Sequence, residues 1–120
     1  DDQISNPTWA RMLAETLALL LGQTRGDPYA YLSDRSGLFH LAGDGFASRL
    51  EWAQEILRLD ANPEQQIARE LIPARTSEFP TPAVRPLFSA LNCDHFTQTF
   101  GLRLPPWRQA LQLAMDALSK

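Results

Sequence analysis

At 120 residues the chain has room for one compact domain, the commonest size being roughly 100–150 residues, and 44% hydrophobic with 21% charged residues is ordinary globular material. A net charge of −3 offers no field to gather phosphate backbones, so nucleic acid is not an expected partner. All the basic residues are arginine except Lys120, which excludes chemistry that needs an internal lysine amine.

Cys93 is the single cysteine, so no intramolecular disulfide is possible and nothing calls for an oxidising compartment. The longest apolar run, Leu17 to Leu21, is far short of the about 20 residues that span a membrane, and no basic flank with a cleavage site precedes it. A cytoplasmic protein with no membrane partner is therefore expected. The chain opens at Asp1-Asp2 without methionine, as an excised piece of a longer protein would.

Trp9, Met12, Leu13, Leu17 and Leu20 recur at the spacing of one helical face and predict a helix over Trp9 to Leu21, with Thr8 as N-cap and Gly22 as the stop. Residues 23–37 carry turn chemistry at both ends, Gly26-Asp27-Pro28 and Ser36-Gly37, and read as a loop. Gly37 to Gly43 is a short apolar run bounded by glycines, the pattern of a strand. Ser48 and Glu51 form a capping box ahead of a second helix with Leu50, Ala53, Ile56 and Leu57 on its buried stripe, ended by Asn62-Pro63.

A second strand is expected around Leu71 to Thr76. The proline-punctuated run Phe79 to Pro86 cannot be helix or central strand. Asn92 can cap a brief helix that Gly101 stops after Phe100. Pro106 then suits the first turn of a last helix, whose face is Trp107, Ala110, Leu111, Ala114, Met115 and Leu118. The fold class expected is a mixed α+β lobe with three main helices and two or three short strands, all in a single domain over residues 1–120.

Few residues offer chemistry. His40 and His95 lie outside any metal-ligand spacing with Cys93, which favours ordinary strand and surface histidines and no metal site. Glu51, Glu55 and Asp60 could be an acid–base pair, but carboxylates beside Arg58 on a helix usually form a solvated face. Nucleophile-elbow, phosphate-loop and dinucleotide fingerprints are all absent. Two segments look over-specified. Asp2 to Thr8 gathers amides and hydroxyls ahead of a helix, either as a plain capped start or as a place for an anionic, hydroxylated ligand. Arg85 sits between prolines that stiffen its loop; it either grips a diphosphate or serves a structural salt bridge or carbonyl clamp.

At these loops the chain resembles the dTDP-4-dehydrorhamnose reductases of the extended short-chain dehydrogenase class. Asp2-Gln3-x-x-x-Pro7-Thr8 is similar to the family's Asp-Gln-x-Gly-x-Pro-Thr, and Gly37-Leu-Phe-His-Leu to its Gly-x-Tyr-His-Leu. Phe79-Pro-Thr-Pro-Ala-x-Arg85-Pro86-x-x-Ser89-x-Leu91 resembles its Tyr-Pro-Thr-Pro-Ala-x-Arg-Pro-x-x-Ser-x-Leu, and Phe100-Gly-Leu-Arg-Leu-Pro-Pro-Trp107 its Phe-Gly-x-x-Leu-Pro-x-Trp. Ser5 stands in place of the family glycine, Phe88 where asparagine is frequent and Arg49 where tryptophan is frequent.

The resemblance implies the C-terminal substrate lobe of an enzyme that reduces dTDP-4-dehydro-L-rhamnose to dTDP-L-rhamnose with NADPH or NADH. The cofactor would be held by an N-terminal Rossmann domain missing from this chain. It implies no catalytic residue here, because Tyr29 and Tyr31 are followed four positions later by Ser33 and Arg35 rather than by the lysine of a Tyr-x-x-x-Lys pair. It implies substrate binding by Gln3, Asn6, Thr8 and Arg85, with the dTDP-sugar and the Rossmann domain as partners and homodimerisation left open. A different nucleotide-sugar epimerase or dehydratase lobe, or a non-catalytic regulatory module derived from the reductase, would share this architecture.

Overall fold

The computed structural model describes residues 1–68 and 70–118; Lys120 lies outside the described residues. Three long helices dominate: α1 (Ala10–Gly22), α3 (Arg49–Leu59) and α5 (Trp107–Leu118). Two shorter ones, α2 (Pro28–Ser33) and α4 (Asp94–Phe100), stand between them. A two-stranded antiparallel sheet pairs β1 (Ile4–Ser5) with β2 (Ala47–Ser48) in the register Ile4↔Ser48 and Ser5↔Ala47. Mixed α and β structure is thus observed. No described helix is long and apolar enough to cross a membrane.

Local signals explain the helices. The Ser48–Glu51 capping box is closed, with Ser48 Oγ accepting from the Glu51 amide at 3.1 Å and the Ser48 amide donating to Glu51 Oε2 at 2.7 Å. Gly101 ends α4 in the left-handed region at φ 67°, where a side chain would be strained. α2 occupies residues expected to be loop. Asp27 caps it by accepting from the Ala30 amide, and Pro28 takes the first position, where its missing N–H costs nothing.

Three further expectations are corrected. Trp9, not Thr8, is the N-cap of α1, because the Thr8 hydroxyl is turned to other backbone groups. Gly37 to Gly43 forms no ladder; Phe39 and Leu41 are apolar because they pack against a core of Leu20, Phe96 and Phe100. Leu71 to Thr76 is also irregular, ending in a 3-10 turn over Thr76–Glu78. The α5 face is buried only at its start, at Trp107 and Ala110, whereas Leu118 is exposed.

Two packing centres result. Phe39, Phe96 and Phe100 meet edge-on or tilted, with ring centroids 5.0–6.2 Å apart, against α1, giving an aromatic core. α3 packs on α5, and Trp107 is tied to the Asp44-Gly45 turn by its amide, which donates to the Asp44 carbonyl at 2.9 Å. Both cores are thin. The radius of gyration is 17.8 Å, against about 14 Å for a compact chain of this length. Ile67, Ile72, Phe79, Val84 and Phe88, which precede or belong to the segment returning to Ile4, are all exposed.

Candidate functional site

Ile4 is the point where three distant segments meet. Besides its pairing in β1, it bridges Phe88 in parallel, its amide donating to the Leu87 carbonyl at 2.7 Å and its carbonyl accepting from the Ser89 amide at 2.9 Å. One residue earlier, the Gln3 carbonyl accepts from the Arg49 amide at 3.2 Å. The N-terminal strand therefore runs between the start of α3 and the exit of the proline-rich run, bringing Gln3, Arg49 and Arg85 to one place.

They line a cleft of about 390 Å³, together with Asp1, Asp2, Ala74, Arg75, Thr76, Phe79 and Thr81. Three arginines and two aspartates line it, so its residues carry a positive charge on balance. Thr76 organises this wall. Its hydroxyl donates to Asp2 Oδ1 at 2.7 Å and accepts from Gln3 Nε2 at 3.0 Å, while its amide donates to both Asp2 oxygens at 3.0 and 3.2 Å. The hydroxyl bond is the main reason the Asp2 carboxyl sits below its ordinary pKa.

Asn6 and Thr8 lie elsewhere. The Asn6 amide donates to the carbonyls of Gly43 at 3.2 Å and Gly45 at 2.7 Å, and its oxygen accepts from the Leu91 amide at 2.7 Å. Thr8 Oγ1 accepts from the Gly43 amide at 3.0 Å and donates to the Asn6 carbonyl at 2.9 Å. Gly43 is pressed against this knot: a Cβ there would lie 2.3 Å from the Pro7 oxygen. Asn6 borders a separate cavity of about 250 Å³ that also meets Asp44, Cys93 and Arg103. Of the four residues expected to bind substrate, Gln3 and Arg85 share a cleft, and Asn6 and Thr8 hold backbone together outside it.

The helix carboxylates are taken up locally. Glu51 closes the capping box, Asp60 accepts from the Asn62 amide and Gln66, and Glu55 pairs with Arg58 through two contacts of 2.7 and 3.0 Å. That pairing lowers the Glu55 pKa. His95 stacks on Phe39 at 4.5 Å, and His40 is exposed.

The family model for the RmlD substrate binding domain matches residues 1–120, the whole length. The chain belongs to this family.

Relatives agree with that membership. Over 118 residues this RmlD substrate binding domain is 35% identical to a dTDP-4-dehydrorhamnose reductase of Sinorhizobium fredii, covering 98% of the chain and 38% of the relative. Against a dTDP-4-dehydrorhamnose reductase of Burkholderia thailandensis it is 32% identical over 99% of its own length and 41% of the relative's. The chain thus spans about two-fifths of the curated relatives it matches. The crystal structure of a dTDP-4-dehydrorhamnose reductase from Clostridium acetobutylicum superposes with a TM-score of 0.77 at 28% identity, over 99% of this chain and 37% of that one. A second, from Bacillus anthracis in complex with NADP, shows the same fold with a TM-score of 0.71 at 23% identity, over 93% of this chain and 34% of that one.

Within the domain, several cleft residues carried no sequence signal strong enough to single them out. Thr76 was expected only as the last residue of a short strand. Arg49 was visible only as a departure from the family pattern. Phe79 and Thr81 stood inside the proline motif but had no role of their own. Ser5, another of the three departures, lies in β1; among the described residues Arg25 is the non-glycine residue with positive φ, so the serine sits there without strain.

Proposed function

We propose that this RmlD substrate binding domain is the substrate-holding portion of a dTDP-4-dehydrorhamnose reductase, which converts dTDP-4-dehydro-L-rhamnose to dTDP-L-rhamnose. NADPH or NADH supplies the hydride from a separate Rossmann-type domain, and this chain's residues hold the nucleotide sugar. The observation that carries this reading is the convergence of Gln3 and Arg85, 82 positions apart (85 − 3), on one positively lined cleft.

In this reading Arg85 grips the diphosphate. Prolines on both sides limit the freedom its segment gives up, and a guanidinium matches phosphoryl oxygens two at a time. Gln3 donates one amide N–H to Thr76, which leaves its carbonyl oxygen and its second N–H for a ligand's polar groups. Asn6 and Thr8 serve the lobe's architecture in this reading, their side chains being bonded to backbone groups outside the cleft. The lone thiol of Cys93 suits a cytoplasmic enzyme.

The test is the full-length protein with NADPH and dTDP-4-dehydro-L-rhamnose. Loss of NADPH absorbance with formation of dTDP-L-rhamnose is the expected result. An epimerised or dehydrated product would assign the domain to a different nucleotide-sugar enzyme. Saturable binding of dTDP-L-rhamnose without turnover would make it a regulatory module, and absence of binding would remove the nucleotide sugar altogether.

A further inference from the structure

Most described arginines outside the cleft have a local use. Arg11 pairs with Glu15, Arg58 with Glu55, Arg35 lies over the Tyr31 ring and Arg108 over the Trp107 ring. The three cleft arginines, Arg49, Arg75 and Arg85, differ: among the described residues none of their guanidinium groups has a hydrogen bond, ion pair or ring contact. Of these, Arg49 opens a capped helix and Arg85 lies between prolines, so the backbone of each is held in place. Helix stability does not account for Arg49, since a cation in the first turn of α3 sits at the wrong end of the helix dipole. Asp2, the nearest acidic candidate in sequence to the Gln3 anchor, is already engaged by Thr76.

The two arginines also arrive from different parts of the lobe. Arg49 is fixed to the body by the Ser48 cap and by its amide on the Gln3 carbonyl, whereas Arg85 belongs to the proline-rich run. We propose that Arg49 is a second substrate-binding residue, gripping the diphosphate of a nucleoside diphosphate-sugar together with Arg85, which reaches the same cleft from a different segment. This rests on the nucleotide-sugar reading above. A diphosphate has two phosphoryl groups, each able to accept a guanidinium fork, so two arginines in one cleft fit it where a monophosphate would satisfy only one.

The experiment uses the full-length protein and titrates dTDP, dTMP and thymidine into wild type, Arg49→Ala, Arg49→Lys, Arg85→Ala and the double alanine variant. Wild type is expected to bind dTDP; if it does not, the nucleotide-sugar reading itself fails and this inference falls with it. Given binding, Arg49→Ala should weaken dTDP by about 10- to 100-fold, the span for a lost charge-assisted contact. It should weaken dTMP less and leave thymidine and the melting temperature unchanged, with Arg49→Lys recovering part of the loss. The double variant should lose less than the product of the single losses, as groups on one shared ligand do. Unchanged dTDP affinity in Arg49→Ala overturns the assignment, and so does an equal loss for all three ligands accompanied by a lower melting temperature.

Discussion

The Thr76 hydroxyl and the Asp2 carboxylate meet at 2.7 Å across 74 positions of sequence, and this bond fastens the proline-rich run to the N-terminal strand. Because the bond favours the ionised carboxyl, Asp2 has a folded pKa below its ordinary 3.8. The sign follows from linkage: a depressed carboxyl pKa adds stability that is fully present above the unfolded value and disappears as pH falls through the folded one. Thr76→Val should therefore lower the denaturation midpoint at near-neutral pH, and the gap from wild type should close in acid, below the carboxyl's ordinary pKa. Denaturant titrations of both proteins across that range check this; a gap independent of pH would mean that Asp2 is not its source.

Gly43 is predicted to be intolerant of even one methyl group. In Gly43→Ala the added Cβ would lie 2.3 Å from the Pro7 carbonyl oxygen, a backbone atom with no rotamer to escape into. The Pro7–Thr8 segment has to shift, breaking the Thr8 and Asn6 bonds to the same turn. A cost of about 1–3 kcal/mol is expected, the usual range for overpacking, read from urea denaturation.

Asn6→Ala and Arg85→Ala should separate stability from binding. Removing the Asn6 amide deprives the Gly43 and Gly45 carbonyls and the Leu91 amide of their partner, at about 1–2 kcal/mol given their partial exposure. Its affinity for dTDP-L-rhamnose should stay near wild type while its melting temperature drops. Arg85→Ala should do the reverse, weakening the nucleotide sugar by about 10-fold or more with an unchanged melting temperature. Calorimetry with thermal melts of each variant reads both quantities.

Ser48→Ala opens the capping box at the helix that positions Arg49. The Glu51 amide loses its acceptor, and a loss of about 1 kcal/mol follows from the usual value of an N-cap. Chemical denaturation measures it, and Ser48→Asp, which keeps an acceptor, should recover most of the difference.

The long helices and α4 were legible because their signals are local: a periodic apolar face, Ser48 three residues before Glu51, Gly101 after Phe100. The sheet was not. Strands of two residues have no period, and what pairs Ile4 with Ser48 is decided 44 positions away (48 − 4). The apolar run Gly37 to Gly43 misled for a related reason, since burial against Phe96 and Phe100 makes a segment hydrophobic whether or not it joins a ladder.

Two of the residues that line the cleft stood out in the sequence. Arg85 declared itself through its prolines, and Gln3 through its place in the polar entrance. Asn6 and Thr8 have the same donors and acceptors as ligand-binding residues, and only three-dimensional placement shows those groups spent on Gly43, Gly45 and Leu91. Arg49 needed the same knowledge, because its neighbours in the cleft come from residues 1–3 and 74–85.

Both ends of the proline-rich excursion are tied to the same short stretch, Thr76 to Asp2 and Gln3 at one end and residues 87–89 to Ile4 at the other. A loop pinned at its base is tolerant at its tip, for each doubling of its length adds only about 0.6 kcal/mol of closure entropy. Insertions around Pro82 to Val84, where Val84 is 99% exposed, can therefore change the reach of this finger without moving the two anchor points that hold it.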